Sequence, residues 1–135
     1  MPYRRISYRY VFMAGSPLRP LGALPQADRT IGLAQLCWRP PSDVYETPDE
    51  VVVTAELPGL DDSEIDIQLF DDALVVQGQR RLPRPEGDAR YQAAEIRQGP
   101  FRLEVPLAGA IDSERVDARL ERGLLTVTLP KARRV

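Results

Sequence analysis

Residues 51–78 read VVVTAELPGLDDSEIDIQLFDDALVVQG, and one part of that stretch admits little besides a β-strand. From residue 64 to residue 70 the side chains alternate. Ile65, Ile67 and Leu69 fall on one face and Glu64, Asp66 and Gln68 on the other. Successive Cβ atoms point to opposite faces of a strand, so a period of two marks a half-buried strand and not a helix. Before it, residues 51–57 form a β-branched run stopped by Pro58-Gly59, a turn pair. After it, Asp71-Asp72 turns the chain into a third strand over residues 73–77. Three strands joined by tight turns build an antiparallel sheet, and its apolar face has to be covered.

The rest of the chain supplies the cover. Residues 42–47 (SDVYET) are a short candidate strand ended by Pro48, and residues 79–81 extend the strand that passes through Gly78. Phe101, Leu103, Val105 and Leu107 share one face of a strand whose other face carries Arg102, Glu104 and Pro106. Val116, Ala118 and Leu120 share a face over residues 114–120. Gly123 marks a turn, and Leu125, Val127 and Leu129 point inward before Pro130. Seven or eight short strands with a turn signal about every ten residues predict an all-β, immunoglobulin-like antiparallel β-sandwich. Residues 82–89 (LPRPEGDA) are too rich in Pro, Gly and charge for regular structure. Residues 90–97 (RYQAAEIR) fit a strand or about two helical turns, the latter marginal in isolation.

Residues 1–41 read differently. Six prolines punctuate them and predict an irregular arm, with a turn or two of helix at residues 30–37. The arm carries six Arg and one Asp, hence +5, whereas residues 42–135 carry −7. Such an arm can contact its own acidic domain, another subunit or an anionic partner. Tyr3, Tyr8, Tyr10 and Phe12 interleave with Arg4, Arg5 and Arg9. That composition stacks on single-stranded nucleic acid or adheres to exposed apolar protein surface. The division expected is an arm at 1–41, a sandwich at 42–131 and a short tail at 132–135.

Catalytic chemistry has little to stand on. There is no histidine, so the commonest general base and metal ligand are absent. The single cysteine, Cys37, allows no intrachain disulfide and no cysteine-rich zinc site. Neither phosphate-binding glycine loop is present. The acidic run 61–64 lacks the glycine and terminal glutamate of a calcium loop, and reads as a solvated turn. No enzyme, cofactor or metal is expected. No apolar run approaches the ~20 residues of a membrane span, and the first residues lack the apolar region of a secretory signal, so a cytoplasmic protein is expected.

Three blocks carry a resemblance: DVYETPDE from Asp43, AELPGL from Ala55, and ARLERGLLTVTLPK from Ala118. Together they resemble the α-crystallin domain of bacterial small heat-shock proteins over about residues 38–131. Gly123 and Leu125 match the family's final Gly-x-Leu signature. The resemblance implies a sandwich that dimerises by strand exchange. The donated strand would be Arg90, Tyr91, Gln92, Ala93, Ala94, Glu95 and Ile96, carried in the loop 82–99. The acceptor would be the strand of Asp43, Val44 and Tyr45. It further implies a holdase chaperone that binds unfolding clients without ATP and prevents their aggregation, as a homodimer or larger oligomer. Ile65, Ile67 and Leu69, with Val116, Ala118 and Leu120, match the strands lining the family's side groove. Tyr3, Tyr8, Tyr10, Phe12, Leu33, Leu36 and Trp38 become the arm's client contacts.

The sequence also departs from the family pattern. Leu103 stands where the family commonly has Arg; Arg102 is one residue off and faces the other side. Leu107-Ala108 replaces a Leu-Pro pair, and no I-x-I/V follows Pro130, a loss expected to lower the avidity of linked dimers. Two other readings compete. A co-chaperone-type adaptor that binds one folded partner would lack the loop 82–99. A nucleic-acid-binding arm on a β domain is disfavoured by the overall net charge of −2.

Overall fold

The computed structural model describes residues 4–5, 8–10 and 37–133. Among the described residues nine strands form two sheets: β1 (Arg4–Arg5), β2 (Arg9–Tyr10), β3 (Ser42–Glu46), β4 (Glu50–Glu56), β5 (Ile65–Leu69), β6 (Ala73–Arg80), β7 (Gly99–Pro106), β8 (Asp117–Glu121) and β9 (Leu124–Pro130). One sheet runs β1-β8-β9-β4-β3 and the other β2-β5-β6-β7. All pairs are antiparallel except β2 with β5. The expected sandwich is therefore present.

Between the sheets lie the side chains that the alternation singles out. Val51, Val53, Ala55, Ile65, Ile67, Leu69, Leu74, Val76, Phe101, Leu103, Val105, Ala118, Leu125, Val127 and Leu129 are all buried in one cluster. Register explains the repeated block near the end of the chain. Ala118 lies opposite Val127 and Leu120 opposite Leu125, so all four share a face of the β8–β9 hairpin. The hairpin turns through Arg122 and Gly123 at φ 52° and 80°. Positive φ at both turn positions matches the twist of the flanking strands, and glycine adopts it without a Cβ penalty. Gly123 is held there: its carbonyl accepts from the Leu57 amide at 2.7 Å.

Several boundaries differ from the sequence expectation. Glu64 belongs to a 3₁₀ turn (Asp62–Glu64), whose reciprocal cap joins the Asp61 backbone amide to the Glu64 carboxylate at 2.8 Å. The acidic run is thus a capped turn. A second 3₁₀ turn (Ser113–Arg115) delays β8 to Asp117, because the Asp112 side chain accepts from the Glu114 amide and caps it. Val116 consequently precedes the strand. Residues 90–97 are neither helix nor strand within one chain. The helical turn expected at 30–37 lies outside the described residues except for Cys37, which is exposed. Two places in the arm are not irregular: β1 pairs with β8 and β2 with β5. Two-residue ladders leave no periodic signal in sequence. No helix among the described residues is long and apolar enough to cross a membrane.

Candidate functional site

Three features of the sandwich can act on another chain: a bare strand edge, a long exposed loop, and the margin where the arm crosses between sheets.

The bare edge is β3. Among the described residues it pairs on one side only, with β4, Val44 lying opposite Val53 and Tyr45 opposite Val52. The amide of Glu56 donates to the Pro41 carbonyl, and at the other end the Thr47 amide donates to the Glu50 carbonyl. In an antiparallel ladder hydrogen-bonded pairs alternate with non-bonded ones. Residues 43 and 45 therefore turn their backbone groups towards β4, whereas residues 42, 44 and 46 turn theirs outward. Side chains on this strand are open as well: Val44 is 47% and Tyr45 56% exposed. An exposed apolar edge is a template for a further strand, and chains that do not use one usually cover it.

The loop spans residues 81–98. Arg90, Tyr91, Gln92, Ala93, Ala94, Glu95 and Ile96 are all exposed, Tyr91 at 64% and Ile96 at 70%. A structureless loop of this length in a compact domain is uncommon and tends to be functional. Its segment 90–96 is long enough to run the full length of β3 (Ser42–Glu46), and its two large apolar side chains are mostly exposed in their own subunit.

Both ends of the functional region converge on one cluster that sequence reasoning missed. Trp38, grouped above with the arm's client contacts, is buried in the core instead. Its ring meets Phe101 at 5.5 Å between centroids, and the Arg80 guanidinium carbon lies 4.4 Å from the Trp38 ring centroid. Trp38 joins β7 through its amide to the Pro100 carbonyl, its carbonyl to the Arg102 amide, and its indole Nε1 to the Gly99 carbonyl. Arg80 is the buried charged residue of the core region. Its Nε and Nη2 donate to the Arg97 carbonyl at 2.9 and 2.5 Å, and its Nη1 donates to the Pro58 carbonyl. A buried guanidinium needs such acceptors, and stacking on Trp adds cation–π attraction. Together Trp38 and Arg80 pin the end of the arm, the end of the loop and the turn at Pro58. The nearby Leu103 fills the core, whereas Arg102 lies on the outer face, bonded to Glu104 and Gln77. The sequence signal for Arg80 was its place on the inward face of β6, two residues beyond Gly78.

At the third feature, Ile65, Ile67, Leu69 and Ala118 are core residues, and Val116 and Leu120 stand half-buried at its margin. The arm crosses here. Tyr8 packs half-buried against the core, and its hydroxyl donates to the Ser113 carbonyl. Burial, reinforced by the Asp112 and Glu114 carboxylates, pushes the Tyr8 phenol above its ordinary 10.0, so it remains a neutral donor at neutral pH. Tyr10 lies on β2; Tyr3, Phe12, Leu33 and Leu36 fall outside the described residues.

Against known proteins, residues 43–135 match the model of the Hsp20/alpha crystallin family. Spore protein SP21 of Stigmatella aurantiaca is 36% identical over 92 residues, covering 68% of this chain and 54% of that protein. This chain thus matches about half the length of that relative. The probable 15 kDa heat shock protein of Leptospira interrogans is 29% identical over 92 residues, covering 68% of this chain and 69% of that one. Among solved structures, heat shock protein 16.0 from Schizosaccharomyces pombe superposes with a TM-score of 0.65 at 31% identity, over 72% of this chain and 90% of that one. The hspA of Xanthomonas axonopodis gives 0.63 at 30% identity, over 70% and 94%.

Proposed function

The chain belongs to the Hsp20/alpha crystallin family of small heat-shock proteins, which are chaperones and not enzymes, and from that premise we propose that it is an ATP-independent holdase. It captures unfolding proteins on apolar surface and keeps them from aggregating. The working unit is a homodimer or a larger assembly in the cytoplasm, built from a 42–131 sandwich with an arm at 1–41 and a tail at 132–135.

The observation that carries this reading is the outward-facing β3 edge together with the exposed segment 90–96. Asp43, Val44 and Tyr45 accept the partner's residues 90–96 as an added strand, and the same exchange runs in reverse, as two-fold symmetry requires. Main-chain hydrogen bonds supply the pairing, and burial of Val44, Tyr45, Tyr91 and Ile96 drives it. Clients meet the arm residues Tyr3, Tyr8, Tyr10, Phe12, Leu33 and Leu36, and the margin around Val116 and Leu120. Trp38 serves that function indirectly, as the arm's anchor.

Light scattering tests the holdase directly. A heat-labile enzyme is heated with this protein near equal molar ratio and without nucleotide. Suppressed aggregation is the expected outcome, and an unchanged scattering curve removes the proposal.

A further inference from the structure

Among the described residues, the charged side chain that the sandwich buries is Arg80. It is the last ladder residue of β6 and lies opposite Gly99, the first of β7. Its side chain continues the inward row of Leu74, Val76 and Gly78. A guanidinium in that row is unfavourable unless its donors are met. They are directed at main chain. Nε and Nη2 both donate to the Arg97 carbonyl, Nη1 donates to the Pro58 carbonyl, and the Trp38 ring covers the charge. Two N–H groups aimed at one carbonyl fix its direction as well as its distance, whereas a lysine ammonium acts as a point charge.

The consequence falls on the loop 81–98. The β6–β7 ladder ends at Arg80 and Gly99. Beyond it, side chains join the two limbs of the loop: Arg80 holds Arg97, and the Gln98 Oε1 accepts from the Leu82 amide at 3.4 Å. Ile96 therefore departs directly from a fixed residue. The other limb is built differently. Residues 82–89 carry Pro83, Pro85 and Gly87, form no ladder, and give eight residues of reach before Arg90. The segment 90–96 is thus fixed at its C-terminal end and given slack at its N-terminal end.

We propose that Arg80 is a positioning residue for subunit pairing: by pinning Arg97 it sets the register in which residues 90–96 meet the partner's β3, while residues 82–89 supply reach alone. The proposal rests on the strand-exchange reading. A segment held near its bound position loses less freedom on association than one loose at both ends. In a two-fold dimer both donated segments are held this way, so the effect of each loop multiplies.

Two insertions separate pinning from reach in the full chain. Gly-Ser between Ile96 and Arg97 leaves Arg80 bonded to Arg97 and puts slack between the pin and the donated segment. The same dipeptide between Gly87 and Asp88 lengthens the reach alone. Both sites are exposed, so neither insertion disturbs the core. Sedimentation of serial dilutions reads the dimer dissociation constant. Denaturation followed through Trp38, the one tryptophan of the chain, reads the fold of the subunit. R80K, which keeps the charge and loses the fork, and Y91S with I96S, which strips the donated apolar side chains, complete the set.

The insertion after Ile96 is expected to raise the dissociation constant about tenfold, roughly threefold per loop. The insertion after Gly87 should raise it by less than about twofold, since loop length acts only logarithmically. Neither should move the denaturation midpoint. R80K should weaken pairing at least as much as the first insertion, and adding that insertion to R80K should change little more, because the pin is already gone. Equal effects of the two insertions, or fully additive losses in R80K, would overturn the role of Arg80; should R80K not fold, unequal insertions alone carry it. If Y91S with I96S pairs as tightly as the wild type, strand exchange itself falls and this proposal with it. If that variant pairs weakly while the two insertions act alike, exchange stands and only the role of Arg80 is lost.

Discussion

G78A is expected to lower the stability of the sandwich by about 3 kcal/mol or more. Gly78 lies opposite Ile65 on one side and Phe101 on the other. A Cβ there would sit 2.2 Å from the Glu64 carbonyl oxygen and 2.8 Å from the Phe101 Cζ. The first contact is with backbone at the foot of β5, which is fixed by the capped 3₁₀ turn. The second is with a fully buried ring packed on Trp38. Neither can retreat without opening the ladder or displacing the aromatic cluster. Overpacking of a rigid core costs about 1–3 kcal/mol, and a backbone clash adds to it. Domains of this size are stable by only about 5–15 kcal/mol, so much of the margin disappears. Chemical denaturation reads the change. A loss below about 1 kcal/mol would mean that Glu64 and Phe101 do not close over Gly78. G123A is the useful comparison: it combines a Cβ 2.9 Å from the Pro58 Cβ with a φ of 80°, so backbone strain and not the buried ring dominates its cost.

V44P is expected to separate dimerisation from folding. Alternation along the β3–β4 ladder turns the Val44 amide outward, away from β4. Proline there removes a donor that the subunit itself does not use, and its ring obstructs an approaching strand. The dimer dissociation constant should rise about tenfold to a hundredfold, that is, by the ~1.4–2.7 kcal/mol of a lost hydrogen bond and impaired approach. The thermal midpoint of the single subunit should barely move. Y45P provides the contrast, because the Tyr45 amide faces β4 and its loss frays β3 itself. Unchanged association of V44P would show that β3 is not the exchanged edge.

These two positions show what could and could not be read in the sequence. The alternation of Ile65, Ile67 and Leu69 and the hairpin block from Ala118 to Leu129 were legible because a strand with one buried face must repeat every two residues. Gly78 was visible as a glycine inside a strand, which signals close approach, but the approaching groups belong to residues 64 and 101. Trp38 was misplaced with the arm's contacts. A lone tryptophan before Pro40-Pro41 has no periodic context, and only the parallel bridge to Phe101 shows that it is core. Arg80 falls on the inward face of its strand, two residues beyond Gly78, but nothing local reveals that Arg97 and Pro58 supply its acceptors. The strands at Arg4–Arg5 and Arg9–Tyr10 are set wholly by tertiary pairing. Residues 90–97 fit a strand or about two helical turns in sequence, and form neither within one chain.

The most direct measurement is the mass of the unmodified chain in solution, taken by light scattering under the conditions of the aggregation assay and repeated with V44P. With edges exchanged between subunits, the chain should weigh at least twice its 15.2 kDa, and V44P should fall towards the single-chain value. A wild-type chain that stays at 15.2 kDa while still protecting its client would contradict strand exchange as the basis of the active unit.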